Sequence, residues 1–77
     1  QDQVQYLNID QEVNAICHDE KHPTLVALGT ASHLLIYDVA DNKIVTSREV
    51  NSFVAYITNY LTFAKVITLL FPLHNTD

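Results

Sequence analysis

Residues Thr24 to Val50 read as three strand-length apolar runs separated by two short polar turns, and this spacing constrains the fold most. Leu25 to Leu28 is a continuous apolar run closed by Gly29, the pattern of an interior strand buried on both faces. Thr30, Ala31 and Ser32 supply a polar turn. His33 to Val39 follows, rich in residues that suit a pleated surface. Ala40-Asp41-Asn42 marks a tight reversal, because Asp and Asn tolerate the left-handed backbone that hairpins use. Ile44 to Val50 is the last run, and its Thr46, Arg48 and Glu49 suit a solvent-facing edge.

Two further segments precede these runs. Val4 to Ile9 has enough alternation for a short strand, broken by Gln11 and Glu12. Val13, Ala15 and Cys17 then alternate with Asn14, Ile16 and His18, a period of two that predicts a half-buried strand. The polar stretch His18 to Pro23 connects it to Leu25, with Pro23 biasing His22 towards extended backbone. Residues 1–50 therefore predict an all-β unit: a single four-stranded antiparallel blade of the β-propeller kind, with the strand preceding it. A lone blade cannot bury both its faces, and repeat folds need about three or more units. The expectation is a fragment of a larger parent, poorly folded by itself. The absence of Met and the opening Gln1 lead to the same expectation.

Charge and composition narrow the function classes. Up to Val50, eight carboxylates face three cations and carry the whole net charge of −5, while Lys65 and Asp77 cancel. No basic stripe is present to neutralise phosphates, which excludes nucleic acid as a natural partner. Cys17 is the sole cysteine, so no internal disulfide can form, in keeping with a reducing compartment.

Catalytic and metal-binding chemistry find little support. Cys17, His18 and His22, with Asp19 and Glu20 between, are the one cluster of ligand types. Adjacent residues of a strand point to opposite faces, so Cys17 and His18 cannot easily share a metal, and a solvated loop is the simpler reading. Asp38 and Asp41 could pair as carboxylates, but an aspartate at a strand end more simply receives turn amides. One glycine cannot build a phosphate loop, and no serine sits in a nucleophile motif. The expectation is a protein without catalytic residues, metal or cofactor.

The tail beyond Val50 keeps three readings. From Phe53 to Leu73 there are fifteen apolar residues with Lys65 as the only charge. That length just reaches a membrane span, although Asn59, Lys65 and Pro72 oppose insertion. Its Val, Ile, Thr, Tyr and Phe content would also suit two more strands. The third reading is a non-native tail. An intron opens with GT, which encodes valine in frame, and Val50 sits where such a junction would fall.

The segments Leu7, Asn8, Ile9, Gln11 and Val13; Leu28, Gly29 and Thr30; Leu34, Leu35, Tyr37, Asp38 and Val39; Asn42; and Arg48, Glu49 and Val50 also form a recognisable series. In order and spacing they resemble the N-terminal β-propeller of the Bardet–Biedl syndrome 2 family, subunits of the ciliary BBSome coat. The resemblance covers about residues 4–50 and ends at Val50, where the family continues with a Gly-containing turn into the next blade. It implies a non-catalytic protein-interaction module in ciliary membrane-protein trafficking and ciliogenesis. The implied partners are other BBSome subunits and membrane-protein cargo, with peripheral membrane association of the parent complex. The implied locations are the cytoplasm, the cilium and the ciliary base. The matching positions are fold-forming ones.

Overall fold

The computed structural model describes residues 4–70. Four strands form one antiparallel meander in chain order: β1 (Ala15–Cys17), β2 (Leu25–Gly29), β3 (His33–Asp38) and β4 (Lys43–Glu49). All four lie where the apolar runs place them, and the fold is the expected four-stranded all-β sheet.

Both inner strands are covered on both sides. Along β3, Leu34 and Ile36 face one way and Leu35 and Tyr37 the other, and all four are buried. Leu34 and Ile36 join Cys17 and Ala27 in one cluster, whereas Leu35 and Tyr37 join Leu28 in a second. β4 is exposed at every residue except Thr46, as a polar outer edge should be. The β3–β4 register slips between Ile36 and Tyr37, leaving Val45 as an extra residue between Thr46 and Ile44. A bulge of this kind twists an edge and blunts pairing with other chains.

The turns follow the side-chain chemistry. Asp38 Oδ1 accepts from the amides of Ala40 (2.9 Å) and Asp41 (3.1 Å), the turn-shaping role predicted for it. Asn42 has φ of 56°, the left-handed conformation expected of the reversal.

Two expectations are corrected. No strand forms over Val4–Ile9. That segment lies across the sheet, with Leu7 and Ile9 packed on Leu28, Leu35 and Tyr37, so it contributes side chains to a face in place of a rung to an edge. The tail, in turn, forms no strands in the described residues. It folds into α1 (Ser52–Ile57), a 3₁₀ turn (Thr58–Tyr60) and α2 (Phe63–Leu70). No helix among the described residues is long and apolar enough to cross a membrane. Phe71, Pro72 and Leu73 of the apolar run lie outside the described residues.

Capping explains why helix prevails over strand propensity here. Asn51 Oδ1 accepts from the amide of Val54 at 2.9 Å and starts α1. The Thr62 hydroxyl accepts from the amide of Lys65 at 3.2 Å and starts α2. Phe63, Val66 and Leu70 then recur at helical spacing and bury one face, with Ala64, Lys65 and Thr68 exposed on the other. That face packs on Cys17, Ala27, Leu34 and Ile36. Fully burying a side chain of the Val, Leu or Phe class contributes about 1.5–3 kcal/mol, more than the modest differences in intrinsic propensity that favoured strand.

Candidate functional site

The motif positions converge on two hydrogen-bonded junctions that tie the N-terminal segment to the sheet. At the first, the Tyr37 hydroxyl accepts from the amide of Asn8 at 2.7 Å and donates to Asn42 Oδ1. Tyr37 is fully buried, so its ring fills the core while its oxygen joins the N-terminal segment to the β3–β4 turn. Val39 belongs to the same junction. Its amide donates to the Thr24 carbonyl at 2.8 Å, and its own carbonyl accepts from Gln5 Nε2 at 2.6 Å.

At the second junction, the buried Thr30 hydroxyl donates to Gln11 Oε1 at 2.7 Å and accepts from the amides of Ser32 and His33 at 3.3 and 3.1 Å. One side chain thus closes the β2–β3 turn and anchors the strand entry. The neighbouring Gly29 serves close approach. A Cβ there would lie 2.1 Å from the Ala55 carbonyl oxygen, because α1 presses directly onto β2.

The remaining motif residues lie apart from these junctions. Leu34 and Val50 belong to the cluster under the helices, whereas Leu7, Ile9 and Leu35 belong to the opposite one. Arg48 Nη1 donates to the Leu69 carbonyl at 3.0 Å, near the end of α2. The Val50 amide donates to the Ser32 carbonyl at 2.8 Å. Val13 and Glu49 are exposed.

The Cys17–His22 stretch is taken apart by the fold. Cys17 Sγ turns into the core and donates to the Leu61 carbonyl at 3.1 Å, and burial, with a smaller contribution from the charge of Asp19, pushes its thiol pKa up. Asp19 Oδ1 accepts from the amides of Lys21 and His22, both at 3.1 Å, and lies 3.2 Å from His22 Nδ1. The His22 ring rests on Phe63 with centroids 5.0 Å apart. Asp19 therefore shapes a turn that carries His22 onto α2. Among the described residues, no three His, Cys, Asp or Glu side chains gather where they could hold a metal.

Two features of the surface stand out for their apolar area. An open groove of about 920 Å³ runs between the His18–His22 connection, Leu25 and the Phe63–Ile67 part of α2. On the other helical segment, Phe53, Tyr56 and Tyr60 form an exposed aromatic row, with 66, 50 and 72% of each residue accessible. The Tyr56 and Tyr60 hydroxyls lie 3.1 Å apart, and their hydrogen bond, which holds the Tyr60 proton, pushes the Tyr60 phenol pKa up. Sequence reasoning missed this row. Its separations of three and four residues were the available signal.

Comparison with known proteins places these observations in a family. No curated protein and no solved structure shows a significant match to the chain. A family model, described as ciliary BBSome complex subunit 2, N-terminal, matches residues 1–59. The match passes beyond Val50, where the resemblance was expected to end, and takes in α1 and most of the 3₁₀ turn. The chain therefore belongs to the family of the N-terminal region of ciliary BBSome complex subunit 2.

Proposed function

We propose that the chain is a non-catalytic interaction module, a β-propeller blade of a BBSome subunit acting in ciliary membrane-protein trafficking and ciliogenesis. Its partners on this reading are other BBSome subunits and membrane-protein cargo. The parent complex associates peripherally with membranes and works in the cytoplasm, at the ciliary base and in the cilium. The single observation that carries the reading is the family match over residues 1–59. The disposition of the motif residues agrees with it. Tyr37, Thr30, Gly29 and Asp38 serve turns and packing, so the surface that remains for function is the exterior of the sheet and its helices.

The test is made in ciliated cells lacking the endogenous subunit. A tagged full-length protein carrying this chain is expected to co-precipitate other BBSome subunits and to restore ciliary cargo traffic. Stable expression without either effect would overturn the proposal.

A further inference from the structure

We propose that residues 52–70 are an intramolecular cap on the sheet face that a neighbouring blade would otherwise cover, so that capping and docking into a ring exclude each other. This rests on the blade reading above. A blade in a ring has its faces covered by its neighbours. Here one face, built from Cys17, Ala27, Leu34 and Ile36, is covered by Phe63, Val66 and Leu70 of α2. The helices stand where a second sheet would pack.

Three contacts beyond apolar burial latch this cap. The Gly29–Ala55 approach leaves no room for even a methyl group between β2 and α1. Asn59 treats the outer edge of β1 as a strand would, its Oδ1 accepting from the Ile16 amide at 3.0 Å and its Nδ2 donating to the Asn14 carbonyl at 3.4 Å. Arg48 reaches from β4 to the Leu69 carbonyl at 3.0 Å, fastening the far end of α2. The cap therefore occupies a face and satisfies part of the β1 edge, the two kinds of valence through which a blade meets other protein.

Cys17 lies under the cap and is the only cysteine, so it reports opening directly. With that face covered, the purified full chain is expected to fold, unlike the bare blade foreseen from sequence, so iodoacetamide should label Cys17 about tenfold or more slowly than in denaturant, and sedimentation should show a monomer. Val66→Asp should release α2. At low concentration labelling then rises about tenfold or more, and at high concentration the chain dimerises and labelling slows again as a second sheet covers the face. Lys65→Asp, on the exposed side of α2, should leave both readouts unchanged. Should Val66→Asp cost the strand signal in circular dichroism, the double variant Arg48→Ala with Asn59→Ala decides, because it loosens the latches without touching a buried side chain. Unchanged labelling in the released variant, or rapid labelling of a sheet that stays monomeric at every concentration, would overturn the proposal. These readouts need no BBSome subunit, so failure of the ciliary role leaves the cap standing, and failure of the cap leaves the role to its own test.

Discussion

Replacing Gly29 by alanine tests the tightest contact in the molecule through the sign of a stability change. Gly29 has no positive φ, so alanine can adopt its backbone without strain. Considered alone, the substitution restricts the unfolded chain and should stabilise by about 0.4–1 kcal/mol. The structure predicts the opposite. The added Cβ would stand 2.1 Å from the Ala55 carbonyl oxygen, 2.9 Å from its carbon and 3.2 Å from Ala15 Cβ. Two of these atoms are backbone and cannot rotate away, so α1 must retreat by roughly 1 Å or more, an overpacking that costs about 1–3 kcal/mol. The net expectation is a loss of up to about 2.5 kcal/mol. The melting temperature should fall by about 4–8 °C for each kcal/mol in a domain of this size. Urea unfolding followed by circular dichroism gives the total, and hydrogen exchange locates it. The Ile16 amide, held by Asn59 on the helical segment, should lose protection before the amides of β3. A more stable alanine variant would refute the close packing of α1 on β2.

Four further outcomes follow from the same contacts. Tyr37→Phe keeps the buried ring but removes the hydroxyl shared by Asn8 and Asn42, and should cost about 1–2 kcal/mol in urea unfolding. Thr58 is fully buried and its hydroxyl has no hydrogen-bond partner among the described residues, so Thr58→Val should be neutral or stabilising by up to about 1 kcal/mol in the same assay. Asp38→Ala removes the acceptor for two turn amides and should destabilise by about 1–2 kcal/mol, most visibly as faster exchange at Ala40 and Asp41. Burial, and to a lesser extent Asp19, raise the Cys17 thiol pKa above its ordinary 9.0, so the folded chain holds that proton more tightly than the unfolded one. This contribution to stability is complete below the ordinary value and is lost as pH rises through the folded one. A pH series of urea midpoints should show an alkaline decline that Cys17→Ala reduces.

Much of the sheet could be read directly from the residues. Leu25 to Leu28 is apolar at successive positions, and such a run in a strand requires cover on both faces; the helices and the Leu7–Ile9 segment supply it. The turn roles of Asp38 and Asn42 were equally readable, because they depend on backbone atoms only a few residues away. The long-range partners were not. Nothing local says that Thr30 meets Gln11, or that Asn59 seats on Asn14 and Ile16, forty-five and forty-three residues away.

The tail shows most clearly where sequence and tertiary structure divide the work. Its residues by themselves left span, strand and non-native readings open, because β-branched and aromatic side chains favour strands only weakly and the caps at Asn51 and Thr62 are single side chains. An apolar sheet face awaiting cover set the strand reading aside in favour of helix. Once β1 to β3 present Cys17, Ala27, Leu34 and Ile36 together, a helix carrying Phe63, Val66 and Leu70 on one side buries more apolar surface than an isolated hairpin could. Local pattern determined the strands and turns, since period and turn chemistry are short-range properties. The cover of that face, and with it which surface remains open to partners, was decided only when the chain folded back on itself.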